Sequence, residues 1–229
     1  MKIAKYIGDT KHDYRSIMRD QTDINLSGLI VPIDRLVICE QTHSELVHLC
    51  SELDAGAGIG SHPQIPIADG FVTNIPNLYL LIRTADCTPV LLWDETLNVI
   101  AAVHSGREST RKDIVGNAIR LMVMHFQSST EHIHASIGPG ICSEHYEVSQ
   151  QIYEEFQDSV SKKGIVMPNT TFRHLDIQGT ILRQIVKCGV PIDNIEYVHK
   201  CTFESEDYFS FRRDGTKNRQ INIIGITHE

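Results

Sequence analysis

A single α/β domain spanning residues 1–229, with mixed β-sheets covered by helices, is predicted by three patterns in the chain. Short apolar runs of strand length recur along it, and stripes of helical period lie between several of them. Some gaps between the runs are too short for a helical crossover, which favours mixed sheets over a purely parallel one. No Pro/Gly/Ser-rich linker divides the sequence into two separately patterned halves. With 41% hydrophobic and 22% charged residues, a chain of this length can bury a full core unaided.

Residues 1–30 are mixed in polarity and predict no element. After Pro32, Arg35 to Cys39 reads as a strand, and Ser44 to Leu53 fits either a short helix or another strand. Residues 55–70 hold four glycines and two prolines, the composition of a surface loop. That stretch lacks the Gly-Lys-Ser/Thr ending of a phosphate loop, so the loop reading stands. Asp69-Gly70 turns the chain into Phe71-Val72-Thr73. Leu78 to Ile82 and Val99 to Val103 are uninterrupted apolar runs, each short enough to be a buried strand.

From Ser109 the period changes. Ile114, Val115, Ala118, Ile119, Met122, Val123 and Phe126 form one continuous helical stripe, capped by Ser109 or Thr110. His132 to Ile137 alternates as a strand and leads into the tight connection Gly138-Pro139-Gly140. Ser149 opens a helix with Ile152, Tyr153, Phe156 and Val160 on one face, ending near Gly164. Asp176 caps a third helix, with Gly189 and Pro191 as its stop signal. Strands follow at Ile195 to Val198, Tyr208 to Phe211 and Ile221 to Ile226.

The chemistry concentrates between residues 43 and 104. Cys87 closely follows one buried run, His104 ends the next, and His43 closes the earlier run through Glu40-Gln41-Thr42. Rigid strands delivering a His, a Cys and a His to one point would give zinc three ligands and leave its fourth position open, as catalytic sites require. Asp86, beside Cys87, disfavours a free thiolate there and is a candidate to orient a ligand histidine or take a proton. The start of the helix after His104, with Arg107 and Arg111, is a candidate anion site. Arg212 is a second candidate anion contact.

A formal charge of −8 and no basic run longer than Arg212-Arg213 argue against nucleic acid as a partner. The first fifteen residues lack the apolar core of a signal peptide, and no stretch approaches the roughly twenty apolar residues of a membrane span. The expected compartment is the cytoplasm, without membrane attachment. Six cysteines without CxxC spacing, mostly inside apolar runs, do not read as a disulfide framework.

Five strings carry a resemblance. They are Gln41-Thr42-His43, Thr84-Ala85-Asp86-Cys87-Thr88-Pro89-Val90-Leu91, Ala101-Ala102-Val103-His104-Ser105-Gly106, Ile137-Gly138-Pro139-Gly140-Ile141-Cys142, and Cys201-Thr202 with Phe209-Ser210-Phe211-Arg212-Arg213-Asp214-Gly215. In this order they resemble the YfiH/YlmD family, from about Leu36 to the C-terminus. Members have been labelled polyphenol oxidases or laccases and are now described as purine nucleoside phosphorylases with adenosine deaminase activity. The resemblance implies a four-layer α/β/β/α fold and a catalytic zinc, with copper the less favoured metal, held by His43, Cys87 and His104. It also implies a purine nucleoside (adenosine, inosine, methylthioadenosine or guanosine) and phosphate as the small-molecule partners.

Two departures bear on substrate choice. Where the family usually follows its second metal histidine with Ala-Gly-Trp-Arg-Gly or Ala-Gly-Trp-Lys-Gly, this chain has Ser105-Gly106-Arg107-Glu108-Ser109, and the family's usual N-terminal Gly-Val-Ser opening is missing. The competing reading is a Cys87/His104 hydrolase acting on an amide such as a peptidoglycan precursor. A copper polyphenol oxidase ranks below both, because laccase chemistry needs several clustered copper ligands and the sequence offers only His132-Ile133-His134 as an HxH pair.

Overall fold

The computed structural model describes residues 1–26 and 28–227. The chain opens with strand β1 (Lys2–Ile7), helix α1 (Tyr14–Asp20) and a hairpin of β2 (Ile24–Leu26) and β3 (Leu29–Val31). Short strands β4 (Leu36–Val37) and β5 (Val47–Leu49) precede the glycine-rich loop. Then come β6 (Gly70–Thr73), β7 (Tyr79–Thr84), β8 (Thr88–Asp94) and β9 (Val99–Ser105), with every residue of β8 and β9 buried. Helices α2 (Arg107–Arg111) and α3 (Ile114–Phe126) are followed by β10 (Ile133–Ile137), α4 (Gln150–Lys162) and α5 (Ile177–Lys187). The chain closes through β11 (Ile195–Tyr197), α6 (Phe211–Asp214) and β12 (Gln220–Thr227).

Two mixed sheets pack face to face, one ordered β1-β12-β7-β4 and the other β11-β10-β8-β9-β6-β5. The two-residue period of a strand decides which core each side chain joins. From β7, Leu80 and Ile82 meet Leu91, Ile100 and Ala102 of the other sheet, while Tyr79 and Leu81 face Ile17, Met18 and the β2–β3 hairpin. From β9, Val99, Ala101 and Val103 turn outward onto Ile119 of α3, in a cluster that includes Phe156 of α4 and Ile181 of α5. The result is four layers, α/β/β/α, with apolar packing at all three interfaces. This matches the fold class expected above, although the two apolar runs first recognised lie in different sheets and face each other across the sandwich. Among the described residues, no helix is long and apolar enough to cross a membrane.

Several elements differ from the sequence reading, each for a physical reason. Residues 1–30 do form structure, because β1 pairs antiparallel with β12 from Lys2 against Thr227 to Ile7 against Asn222, a contact invisible to local pattern. The expected strand Arg35–Cys39 is reduced to Leu36–Val37. The single helix from Ser109 is two helices, broken where Asp113 adopts a left-handed conformation (φ 68°). Its start is Gly106, not Ser109 or Thr110: the Gly106 N–H donates to Ser109 Oγ (2.9 Å), and the Thr110 N–H donates to the Gly106 carbonyl. The strand expected at Tyr208–Phe211 is a loop ending in α6, since Ser210 caps that helix by accepting from the Arg213 N–H (3.1 Å). The caps at Ser149 and Asp176 are where the sequence placed them.

Candidate active site

Strand β9 delivers His104 to one end of the sandwich as a 4%-exposed residue, and the β7–β8 turn places Cys87 beside it. His43 comes from a loop instead of a strand end, held in a left-handed turn (φ 60°). Donor atoms of His43, Cys87 and His104 all lie within 4.8 Å of one another, and Cys87 Sγ is 3.6 Å from His43 Nε2. The three residues singled out from the sequence therefore do converge on one point.

What holds them there is Asp69, which the sequence showed only as the first half of a turn. Its fully buried carboxylate accepts from the backbone N–H groups of Thr42 (3.1 Å), His43 (3.0 Å) and Ser44 (2.7 Å) and from the Ser44 hydroxyl (2.8 Å). It also accepts from His104 Nδ1 at 2.8 Å. One carboxylate thus shapes the loop carrying His43 and fixes the tautomer of His104, leaving Nε2 free to bind an electrophile. Burial opposes the charge on Asp69, but the His104 contact and the Ser44 amide win, and its pKa falls to about 2.

Close approach also demands Gly106. A Cβ there would sit 2.8 Å from Cys87 Sγ and 2.8 Å from His43 Cδ2, so only glycine lets the helix start pass behind the trio.

Asp86 does not play the part its position suggested. It takes a left-handed conformation (φ 80°), and its carboxylate accepts from Thr202 Oγ1, Ser210 Oγ and the Arg212 N–H, each at 2.7 Å. Asp86 therefore anchors the C-terminal loop that bears Arg212, and it is Asp69 that orients His104. The thiol also behaves oppositely to expectation. Burial pushes the Cys87 pKa up, but the imidazolium of His104 and the contact from His43 outweigh this and bring it to about 6. His104 is pushed down by burial and up more strongly by the Cys87 thiolate and Asp69, to about 9. Between those values the metal-free pair is a thiolate–imidazolium ion pair.

Those values give a signed expectation for metal binding. Between about pH 6 and about 9, Cys87 is already ionised but His104 must lose its proton, so each metal bound releases about one proton and affinity rises with pH. Below about pH 6 the thiolate is protonated as well, and affinity falls more steeply. Calorimetric titration of the metal-free chain with zinc in buffers of different ionisation enthalpy counts those protons. Binding without proton release would show that His104 is neutral in the free protein.

The trio lies in the wall of a cavity of about 580 Å³, large enough for a nucleoside and a small anion. Four guanidinium groups line it, from Arg83, Arg107, Arg212 and Arg219. The cavity is thus locally cationic in a chain whose net charge is −8. Arg107 and Arg212 were candidates from sequence; Arg83 and Arg219 were not, for nothing local distinguishes them from surface charge. Arg111 instead pairs with Glu108 (2.6 Å) and does not line the cavity. Ile141, Tyr146, Ile177 and Phe211 supply an apolar side, with the Arg212 guanidinium 5.2 Å from the Tyr146 ring centroid.

A family model described as multi-copper polyphenol oxidoreductase laccase matches residues 6–227. The chain belongs to this family. A purine nucleoside phosphorylase from Bacteroides thetaiotaomicron is 33% identical over 230 aligned positions, covering 96% of this chain and 82% of the relative. Another purine nucleoside phosphorylase, from Corynebacterium glutamicum, is 34% identical over 86% of this chain and 76% of its own. Among solved structures, YlmD from Geobacillus stearothermophilus superposes with a TM-score of 0.78 at 26% identity, covering 86% of this chain and 76% of that one. YfiH from Bacillus licheniformis gives 0.76 at 26% identity with the same coverage. The fold is accordingly of the YfiH/YlmD type. Family membership agrees with the resemblance drawn from the five motifs.

Proposed function

We propose that this YfiH/YlmD-family protein is a zinc-dependent purine nucleoside phosphorylase, cleaving the N-glycosidic bond of adenosine, inosine or a related purine nucleoside with inorganic phosphate. The observation that carries the reading is a His/Cys/His trio opening into a cavity that joins four arginines to an apolar, aromatic side. Relatives named purine nucleoside phosphorylase, similar over most of both chains, support it. Two imidazoles and one thiolate suit zinc, Asp69 supports His104 from behind as metal-binding histidines require, and Gly106 leaves room for the ligands to approach. Zinc bound there would supply a Lewis acid for an oxygen of substrate or water.

The chain's own residues do the rest. Arginines at the cavity wall bind phosphate; Arg107 is already paired with Glu108, and Arg212 suits this best because its loop is fixed through Asp86. Tyr146, Phe211 and Ile141 offer faces and edges for the purine. Phosphate then attacks C1′ of the ribose as the bond to the base nitrogen breaks, giving ribose 1-phosphate and the free base. The same reading extends to hydrolysis of the adenosine amine, detected as inosine formation.

Incubating the protein with inosine, with and without phosphate, tests this by product mass. Base and ribose 1-phosphate should appear only with phosphate. Base release at equal rate without phosphate would overturn the phosphorylase assignment.

One observation favours a second reading. Cys87, His104 and Asp69 are arranged as nucleophile, base and orienting carboxylate, and the thiol pKa is already depressed, as in a cysteine amide hydrolase acting on a peptidoglycan precursor. That reading uses His43, 3.6 Å from the sulfur, only to help depress the thiol pKa, and it makes no use of a third donor converging on one point. Copper chemistry fits less well. The donor set would suit one electron-transfer copper, but among the described residues His43 and His104 are the only two histidines lining the cavity, too few for a laccase cluster.

A further inference from the structure

Behind the cavity wall lies a second set of donors. Cys142, His145, Cys201 and Glu204 bring one sulfur, nitrogen or oxygen each to within 4.8 Å of all the others. They form two chelating arms of equal length, Cys142-x₂-His145 and Cys201-x₂-Glu204. Neither Cys142 nor His145 lines the cavity, although their neighbours Ile141 and Tyr146 do. We propose that these four residues form a closed, structural zinc site, distinct from the His43/Cys87/His104 trio.

The separations fit a tetrahedron. With Zn–S near about 2.3 Å and Zn–N or Zn–O near about 2.0–2.1 Å, ligand-to-ligand edges run from about 3.3 to about 3.8 Å. His145 Nδ1 lies 3.2 Å from Cys142 Sγ, 3.9 Å from Cys201 Sγ and 3.4 Å from Glu204 Oε1, and Cys142 Sγ lies 3.7 Å from that same oxygen. Three independent supports hold the arms in place. Gly140 and Cys201 form a parallel β-bridge, the Cys142 N–H donates to Cys201 Sγ (3.3 Å), and the His145 ring stacks on Phe203 at 4.4 Å and 18°. An N–H donated to sulfur is the contact a metal-bound thiolate needs from its surroundings.

Four protein ligands leave no open position, so the role is to clamp the chain rather than to meet substrate. The clamp would tie the Gly138–Cys142 connection to the segment whose Thr202 hydroxyl holds Asp86, and through Asp86 it would steady Arg212 at the cavity wall.

The test uses the full chain, purified under reducing conditions. The Cys87→Ala chain should retain about one tightly held zinc, and adding Cys142→Ser should remove it. Loaded with cobalt(II), the Cys87→Ala chain should show the strong visible bands of a tetrahedral thiolate site, and Glu204→Gln should shift them. In the unmutated chain, zinc should protect the half-buried Cys142 from alkylation and chelation should expose it, a readout that needs no variant to fold. A Cys87→Ala chain that holds no metal, a Cys142–Cys201 disulfide, or alkylation of Cys142 at the same rate with and without zinc would each overturn the site. Loss of metal on Cys142→Ser stands even if the Cys87 site proves metal-free, so the two proposals fail separately.

Discussion

Replacing Cys87, His43 or His104 with alanine is expected to remove the metal from the cavity and to lower base release more than about a hundredfold in each case. The three donors come from a turn, a loop and a strand, so none substitutes for another, and two remaining ligands hold zinc poorly. These variants should stay folded. The three packing interfaces bury Leu, Ile and Val side chains worth about 1.5–3 kcal/mol each, and His43 and Cys87 sit outside those clusters. Metal analysis with thermal unfolding separates loss of the site from loss of the fold. Retention of activity in any of the three alanine variants would remove that residue from the ligand set.

Changing Asp69 should do damage of a different kind, because Asp69 touches the site only through others. Asp69→Asn keeps the shape but can no longer present two acceptor oxygens to five donors, and it offers His104 Nδ1 a neutral partner in place of a carboxylate. Metal affinity should fall about 10–100-fold. Asp69→Ala removes the acceptor of three half-buried backbone N–H groups and should cost about 1–3 kcal/mol of stability. A zinc titration of each variant, paired with denaturant unfolding, checks both effects. If Asp69→Asn binds zinc as tightly as the unmutated chain, His104 is held by something other than Asp69.

Much of what is encoded within one run of residues was legible in the sequence, although the helix break at Asp113 and the cap at Ser210, both local, were misread. A continuous apolar string such as Val99 to Val103, too short for a helix, reads as a buried strand, and Ser149 and Asp176 mark helix starts because their side chains accept from the backbone three residues on. The convergence of His43, Cys87 and His104 was legible too: Cys87 and His104 lie at the ends of buried runs and arrive on rigid supports, while His43 arrives on a loop instead. What stayed hidden was set by contacts across the chain. Strand β1 exists because β12 lies beside it, and Asp69 matters because of His104, thirty-five positions away. Asp86 was misjudged for the opposite reason: its neighbour in sequence is Cys87, but its carboxylate is claimed by Thr202, Ser210 and Arg212. The spacing Cys142-x₂-His145 and Cys201-x₂-Glu204 was a usable signal for the second donor set. A search for CxxC alone passes over it.

The central claim is that Cys87 binds a metal and is not itself the attacking nucleophile. Its most direct test is to strip metal from the purified chain with a chelator, follow base release from inosine in phosphate, and map alkylation of Cys87 by mass at each step. Activity should vanish as metal leaves and Cys87 should become open to alkylation in parallel, and zinc added back before the alkylating agent should restore the activity and protect the sulfur. A metal-free chain that stays fully active and carries a substrate-derived covalent adduct on Cys87 would contradict the account and make Cys87 the attacking nucleophile.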